Sequence, residues 1–264
     1  MKTETKQEKT GQTDRHWESY WSSKDDDTEF YSNEDRIIRG FKHVGDPVGR
    51  RVLEVGAGSG RDSCDLAAAG ATVHCLDNSR SSITLIRKID RDRKLRLIVA
   101  DALAAPFKPG VFDVVFHQGL LEHFREPKAL LEENRRLLKP GGYLLVDVPQ
   151  TFHPLTIVKK VLMLFDAWFA GWETQYRPGE LESLLRGHQF QPLARIGEWM
   201  RPSLLYRCLR TALKGIGFRL PLYPLGLPGS RRLRCYLHNR LSDRHSLAVT
   251  YPSVGVISRK AETD

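Results

Sequence analysis

Between residues 50 and 148 the apolar positions fall into two alternating kinds of run. Short blocks nearly continuous in Val, Leu and Ile read as strands at Arg51–Val55, Thr72–Leu76, Leu95–Ala100, Phe112–Phe116 and Tyr143–Val148. Strands buried on both faces of a parallel sheet read this way, because no face is left for polar residues. Segments with helical spacing lie between them, at Gly60–Ala69, Ser79–Asp90 and Pro127–Leu138. In the last, Ala129, Leu130, Leu131, Leu137 and Leu138 make an apolar stripe, and Gly141 is expected to mark its stop. The alternation predicts an α/β fold with a Rossmann-like, doubly wound, mostly parallel sheet.

The pattern changes outside this core. Thr151–Trp172 is an aromatic, amphipathic segment, Pro178–Arg186 reads as a helix stopped by Gly187, and Phe190–Ile196 as a strand. Arg201–Arg244 mixes Leu, Pro, Gly and many Arg, and Leu247–Ser258 alternates well enough to close the sheet. Before the core, Arg15–Trp21 and Asn33–Val44 read as short helices placed to cover a cleft. The expected organisation is a disordered tail at 1–14, a helical cover at 15–49, a ligand-binding core at 50–150, substrate-shaping helices with a basic, apolar insertion at 151–245, and a closing strand and tail at 246–264.

The string Glu54-Val-Gly-Ala-Gly-Ser-Gly60 carries the chemistry. A strand runs into a glycine-rich turn and then into a helix, so a ligand can approach the backbone closely. Exposed amides at the helix start are expected to offer donors. The spacing is Gly-x-Gly-x-Gly with Arg at position 61, whereas a dinucleotide fingerprint wants Gly-x-Gly-x-x-Gly or Ala. An acid, Glu54, stands two residues before the turn, where a pyrophosphate gains nothing but a ligand with an amine and a sulfonium does. Asp77 ends the second strand, placed to accept two ribose hydroxyls, with Asn78 beside it. Asp101-Ala102 follows the third strand near an adenine edge, and His117-Gln118 ends the fourth at the lip where open α/β sheets bind ligands.

This ordered set, together with Phe112-Asp-Val-Val-Phe-His-Gln118, Leu121-Glu-His123 and Leu138-Lys-Pro-Gly-Gly142, resembles the small-molecule branch of the class I S-adenosylmethionine (SAM)-dependent methyltransferases, the type 11 group that includes quinone methyltransferases. The resemblance covers roughly Arg50 to Pro149. It implies SAM as cofactor, with Glu54, Gly56, Ala57, Gly58 and Gly60 around the methionine moiety, Asp77 and Asn78 at the ribose, Asp101 and Ala102 at the adenine and Gln118 on the floor. In related enzymes an N-terminal aromatic segment, here Trp17, Tyr20, Trp21, Phe30 and Tyr31, folds over the cofactor. Metal-binding quinone O-methyltransferases carry a further Glu three residues before the Glu-His pair. Gly119 holds that place here, so no metal is expected.

Methyl transfer is an in-line displacement, and a base is needed only where the acceptor must lose a proton. His123 and His153 are the expected catalytic residues, with His117 and Glu122 as further titratable groups nearby. The expected reaction is methylation of a small, lipophilic acceptor such as a quinone precursor, polyketide or lipid-linked glycan. An RNA methyltransferase and a non-catalytic SAM-binding regulatory protein remain as alternatives.

Charge sharpens the question of partners. The chain carries a formal +9, with basic residues crowding Arg186–Arg244. A solvated surface, an anionic membrane surface and a nucleic acid would each account for it. DNA is excluded because the loop His117-Gln-Gly-Leu120 lacks the Pro-Pro-aromatic signature and no Cys follows a Pro; RNA is disfavoured by the lack of a familiar RNA-binding module. The four cysteines form no Cys-x-x-Cys pair and no apolar run is long enough to span a bilayer. These features imply a reduced, cytoplasmic protein with peripheral membrane contact as a further expectation.

Overall fold

Strands Arg51–Val55 (β1), Thr72–Asp77 (β2), Arg96–Val99 (β3), Phe112–Gln118 (β4), Leu138–Pro149 (β5), Phe190–Ile196 (β6) and Ser253–Lys260 (β7) form one sheet in the order β3-β2-β1-β4-β5-β7-β6. The structure, a computed structural model, describes residues 15–24, 36–165, 167–168, 170–197, 199–224, 236 and 250–262. Strands β1 to β5 pair in parallel, and β7 runs antiparallel between β5 and β6. The parallel pairing brings the carboxyl ends of β1, β2, β4 and β5 to a single edge, where ligands bind in open α/β sheets.

Alternate residues along each strand point to opposite faces, and both faces are buried. Leu53, Val55, Val115 and Val146 pack under Leu130, Leu131 and Leu137 of the helix Lys128–Leu137 (called α5 in the chain-order numbering that follows). Val52, Val73, Val114 and Phe116 pack on the other side under Leu66 of α3 (Arg61–Ala68) and Ile83 and Ile86 of α4 (Arg80–Ile89). Ser79 caps α4 by accepting from the Ser82 amide, which fixes where that helix starts. Before the sheet lie a helix at 15–22 (α1), α2 (Arg36–Gly40) and a 3-10 turn Phe41–His43. After it come α6 (Pro154–Leu164), α7 (Pro178–Gly187) and α8 (Leu204–Gly215).

Several boundaries differ from the pattern-based expectation. Strand β5 begins at Leu138 rather than Tyr143. Helix α5 ends because Leu138 turns to φ −76°, ψ 137°, is wholly buried and pairs with Phe112. Gly141 therefore lies within the strand instead of stopping the helix. Gly187 is likewise inside α7, and Gln189 takes the left-handed conformation at φ 63° that ends the segment. The expected helix Asn33–Val44 shortens to α2 and the 3-10 turn, with 33–35 outside the described residues. The expected tail at 1–14, Phe30, Tyr31 and, within the Arg201–Arg244 block, residues 225–235 and 237–244 also lie outside them.

Candidate active site

The glycine-rich turn leaves β1 with Gly56, Gly58 and Gly60 at φ 66°, 55° and 66°. Side chains would strain all three, and each glycine faces a different neighbour. A Cβ on Gly56 would meet Leu120 at 3.0 Å, one on Gly60 would meet Ile86 at 3.0 Å, and one on Gly58 would meet the indole of Trp21 at 2.7 Å. The turn's own amides are largely occupied. Gly56 and Ala57 both donate to the Leu76 carbonyl at 2.8 and 3.1 Å, Gly60 donates to Ala57, and Gly58 donates to Asp77 Oδ2 at 2.9 Å. The amides of Gly56, Ala57, Gly58 and Gly60 are thus bonded within the protein. A pyrophosphate would find little to bind, which agrees with the glycine spacing.

Asp77, at the end of β2, holds the turn from below. Its Oδ1 accepts from the Ser79 amide at 2.9 Å and its Oδ2 from Gly58. Burial raises its carboxyl above the ordinary range, and the two amide donors oppose that rise. The Ser82 side chain is a third donor to this carboxylate, which still offers acceptor capacity for a ligand. Asn78 beside it is exposed, as is Asp101, whose Oδ1 accepts from the Leu103 amide at 2.9 Å at the rim. Ala102 is half-buried next to it.

Glu54 lies deeper than its motif position suggests. It is buried, and its Oε2 accepts from Ser63 Oγ of α3 at 2.5 Å. Burial pushes its carboxyl well up, and Asp62 adds repulsion. Buried Glu54 anchors the end of β1 to α3 through Ser63, so its effect on a ligand passes through the turn.

Gln118 ends β4 in a network that the motif reading missed. Its Nε2 donates to Asp62 Oδ2 at 2.6 Å, and its Oε1 accepts from Arg36 Nη2 at 3.3 Å. Arg36 in turn pairs with buried Asp147 of β5 at 2.6 Å and donates to Ser253 Oγ of β7. Three charged residues from α2, α3 and β5 thereby lock one amide on the floor. Single acidic and basic residues in helices carry no motif, so only topology could have joined them.

Helix α1 closes the edge. Trp21 covers Gly58; Glu18 accepts from Ser79 Oγ at 2.7 Å and Ser81 Oγ at 2.6 Å; Trp17 stands edge-on to His123 with ring centroids 5.2 Å apart. These serine donors hold the Glu18 carboxyl below the ordinary range. Helix α1 is thus packed on the glycine turn and on the start of α4.

The histidines separate by hydrogen bonding. His123 Nδ1 lies 3.2 Å from the Trp172 carbonyl. A carbonyl only accepts, so Nδ1 carries the proton and Nε2 keeps its lone pair. Burial lowers the pKa of His123, opposed by nearby Glu173. His153 is the reverse case. As N-cap of α6 its Nδ1 accepts from the Leu155 amide at 3.1 Å, so in the neutral ring the proton sits on Nε2 and no lone pair is left for a base. His117 is fully buried in β4, neither ring nitrogen has a hydrogen-bond partner among the described residues, and burial lowers its pKa to about 3. It faces the core and cannot reach a ligand.

Beside His123 lies a second group that sequence reasoning missed. Glu173 Oε2 pairs with Lys159 Nζ of α6 at 2.8 Å, and Glu173 Oε1 accepts from Trp168 Nε1 at 2.8 Å. The two charged side chains are only 4 % and 13 % exposed. Glu122 is buried next to them, and burial followed by repulsion from Glu173 pushes its carboxyl well up. Its backbone carbonyl accepts from the Thr174 amide at 2.9 Å, which seats the strand-like segment after Trp172 against the 3-10 turn Leu121–His123.

With this geometry in hand, comparison with known proteins is informative. Residues 53–146 match the family model described as methyltransferase domain, so the sheet and turn are those of a class I, Rossmann-like methyltransferase fold. The chain is 40 % identical over 103 residues to a demethylmenaquinone methyltransferase of Renibacterium salmoninarum, covering 39 % of this chain and 43 % of that protein. It is 29 % identical over 172 residues to a ubiquinone biosynthesis O-methyltransferase of Bordetella pertussis, covering 60 % of this chain and 69 % of that one. Against the first of these the chain thus spans less than half of the relative's length. Among solved structures, a magnesium protoporphyrin IX methyltransferase from Synechocystis with bound SAH superposes with a TM-score of 0.56 at 14 % identity, over 99 % of this chain and 90 % of that one. That similarity speaks to the fold.

Proposed function

We propose that the chain is a SAM-dependent methyltransferase acting on a small, lipophilic acceptor that loses a proton to His123. The observation that carries this reading is the pairing of a glycine turn whose Gly56, Ala57, Gly58 and Gly60 amides are bonded within the protein with a buried Asp77 at the next strand end. Such a turn has little to offer a phosphate, yet it accepts close backbone approach. Asp77 has lone pairs to spare for ribose hydroxyls. Asp101 and Ala102 would flank the adenine, Gln118 the floor, and Trp21 the open side of Gly58. When bound, SAM supplies an electrophilic methyl group on a sulfonium. The chain's own part is to orient the acceptor, exclude water with α1, and take the acceptor's proton on His123 Nε2. The quinone-methylating relatives support an aromatic hydroxyl or ring carbon as the methylated group.

Calorimetric titration of the purified protein with SAM, S-adenosylhomocysteine and NAD tests the cofactor. Micromolar binding of both adenosyl ligands is expected, with none for NAD. Asp77→Ala should weaken binding by about 10- to 100-fold, the loss of one or two charge-assisted hydrogen bonds. No adenosyl binding by folded protein would overturn the reading.

A further inference from the structure

Helices α6 and α8 are turned the wrong way round for a water-facing surface. In α6 the one buried residue is Thr156, and Lys159 is directed inward to Glu173. Ile157, Val158, Val161 and Leu164, which share the opposite arc, are exposed, Leu164 by 79 % and the adjoining Phe165 by 73 %. Helix α8 repeats the inversion. Leu205 and Leu209 recur at a spacing of four on one face, and they and Ile216, which caps the helix end, are 83 %, 51 % and 71 % exposed. Arg207 and Arg210 lie on the other face and donate to the carbonyls of Pro202, Arg201 and Leu220. An ordinary amphipathic helix on a soluble protein buries its apolar stripe and exposes its charges. Two helices that do the opposite present apolar surface that water alone would not favour.

The charge around these helices selects the occupant. Neither α6 nor α8 contains an acid. Residues 199–241 contain nine Lys and Arg and no Asp or Glu, and the other 32 basic residues of the chain match its 32 acids. The whole net charge therefore sits in the stretch that carries α8. Lys160 on α6, Lys214 on α8 and Arg219 just beyond are exposed. Apolar side chains facing outward on helices that carry exposed cations and no acid match a layer of acyl chains beneath anionic headgroups. Among the described residues no helix is long and apolar enough to cross a membrane, so the contact would be with one leaflet.

We propose that the outer faces of α6 and α8 form a docking surface for an anionic lipid bilayer. The purpose it serves, delivery of a lipophilic acceptor to His123, rests on the methyltransferase reading, but the docking itself does not. Helix α6 joins the two, because its outer face is the docking surface and its inner Lys159 is anchored beside the candidate base.

The test is co-sedimentation of the full chain with vesicles of phosphatidylcholine alone and of phosphatidylcholine mixed with phosphatidylglycerol. Adenosyl-ligand binding is measured separately on the same samples. Binding to the mixed vesicles is expected, with little to phosphatidylcholine alone. It should weaken sharply between about 0.1 M and about 1 M salt, as the screening length falls from about 10 to about 3 Å. Removing Lys160, Lys214 and Arg219 by substitution with Gln should cost roughly fivefold per cation. The pairs Ile157→Glu with Leu164→Glu, and Leu205→Glu with Leu209→Glu, should abolish it while adenosyl binding persists, which shows that these exposed substitutions leave the fold intact. The proposal fails if the mixed vesicles do not bind at low salt, or if binding survives both pairs. It also fails if sedimentation velocity shows a dimer that the same pairs dissociate, since a second copy would then be the occupant. Vesicle binding without any adenosyl binding would keep the surface and remove the methyltransferase reading.

Discussion

The Nδ1 of His123 faces the carbonyl oxygen of Trp172 at 3.2 Å, and this contact decides which nitrogen of the ring can act. It fixes the proton on Nδ1 and leaves Nε2 basic. Burial lowers the His123 pKa below its usual value near 6.5, which favours the neutral, basic ring near neutral pH. Turnover of a protic acceptor should therefore be flat with pH above neutrality and fall as pH drops through a value below about 6.5. His123→Ala should lower kcat by about 10²- to 10⁴-fold with adenosyl affinity retained. An inflection above neutrality, or undiminished turnover in the variant, would rule out His123 as the base.

Gly58 and Trp21 make a steric pair. A methyl group on Gly58 would lie 2.7 Å from the indole and would require φ 55° of a residue with a side chain. Gly58→Ala should therefore lose about 1–2 kcal/mol to backbone strain and also displace α1. Trp21→Ala should weaken adenosyl binding less than Gly58→Ala does. In the double variant the steric part should vanish while the backbone part remains, so the two effects should be less than additive. Limited proteolysis near residue 24 would report release of α1, and full additivity would show that Trp21 does not cover the turn.

His117 predicts an acid-labile fold. Its pKa is about 3 in the folded protein, against about 6.5 when unfolded. Between those values the unfolded chain holds a proton that the folded one does not, so stability falls as pH falls, by about 1.4 kcal/mol per unit from this residue alone. Above about 6.5 it contributes no slope. His117→Leu removes the titrating group and two unpartnered buried nitrogens, so it should stabilise the protein by about 1–3 kcal/mol near neutrality and by more in acid. Denaturant titrations at several pH values measure this; an unchanged slope in the variant would contradict it.

Chain pattern alone gave the core because each strand and helix there obeys its own period. Val52, Leu53 and Val55 read as a two-faced strand, and Ser79–Asp90 as a helix, from local chemistry that the fold does not override. The motif residues around Gly58 and Asp77 were legible for the same reason: a positive-φ turn and a strand-end acid are local demands. Arg36, Asp62, Asp147, Lys159 and Glu173 were not, since their partners are brought together from distant elements and no spacing announces them. That the Gly56, Ala57 and Gly58 amides are taken by strand β2, through the Leu76 carbonyl and Asp77, was not legible either, because that pairing is made across the sheet. The outward turn of α6 was equally hidden. Periodicity shows that a helix has an apolar face, but which side meets the protein depends on where Glu173 stands.

Lys159 and Glu173 form a nearly buried pair whose removal should be asymmetric. Taking two charges out of water is costly, and their attraction and hydrogen bonds offset that cost only while both are present. Glu173 also holds Trp168 Nε1 and lies close enough to raise the Glu122 carboxyl. Lys159→Met would leave the Glu173 carboxylate without its cation beside a second acid. It should destabilise by about 3–5 kcal/mol. Glu173→Gln keeps the bond to Trp168 but strands the ammonium, and should destabilise to a similar degree. Lys159→Met with Glu173→Gln should recover much of either loss, because no unpaired charge is then buried. The double variant should still show an altered pH profile for acceptor turnover. Glu173 raises the His123 pKa and Lys159 lowers it, with Glu173 the larger influence, so removing both should move the inflection further down. A double variant no more stable than Lys159→Met would show that the pair does not act as a unit. An unmoved profile in an active double variant would separate the pair from His123.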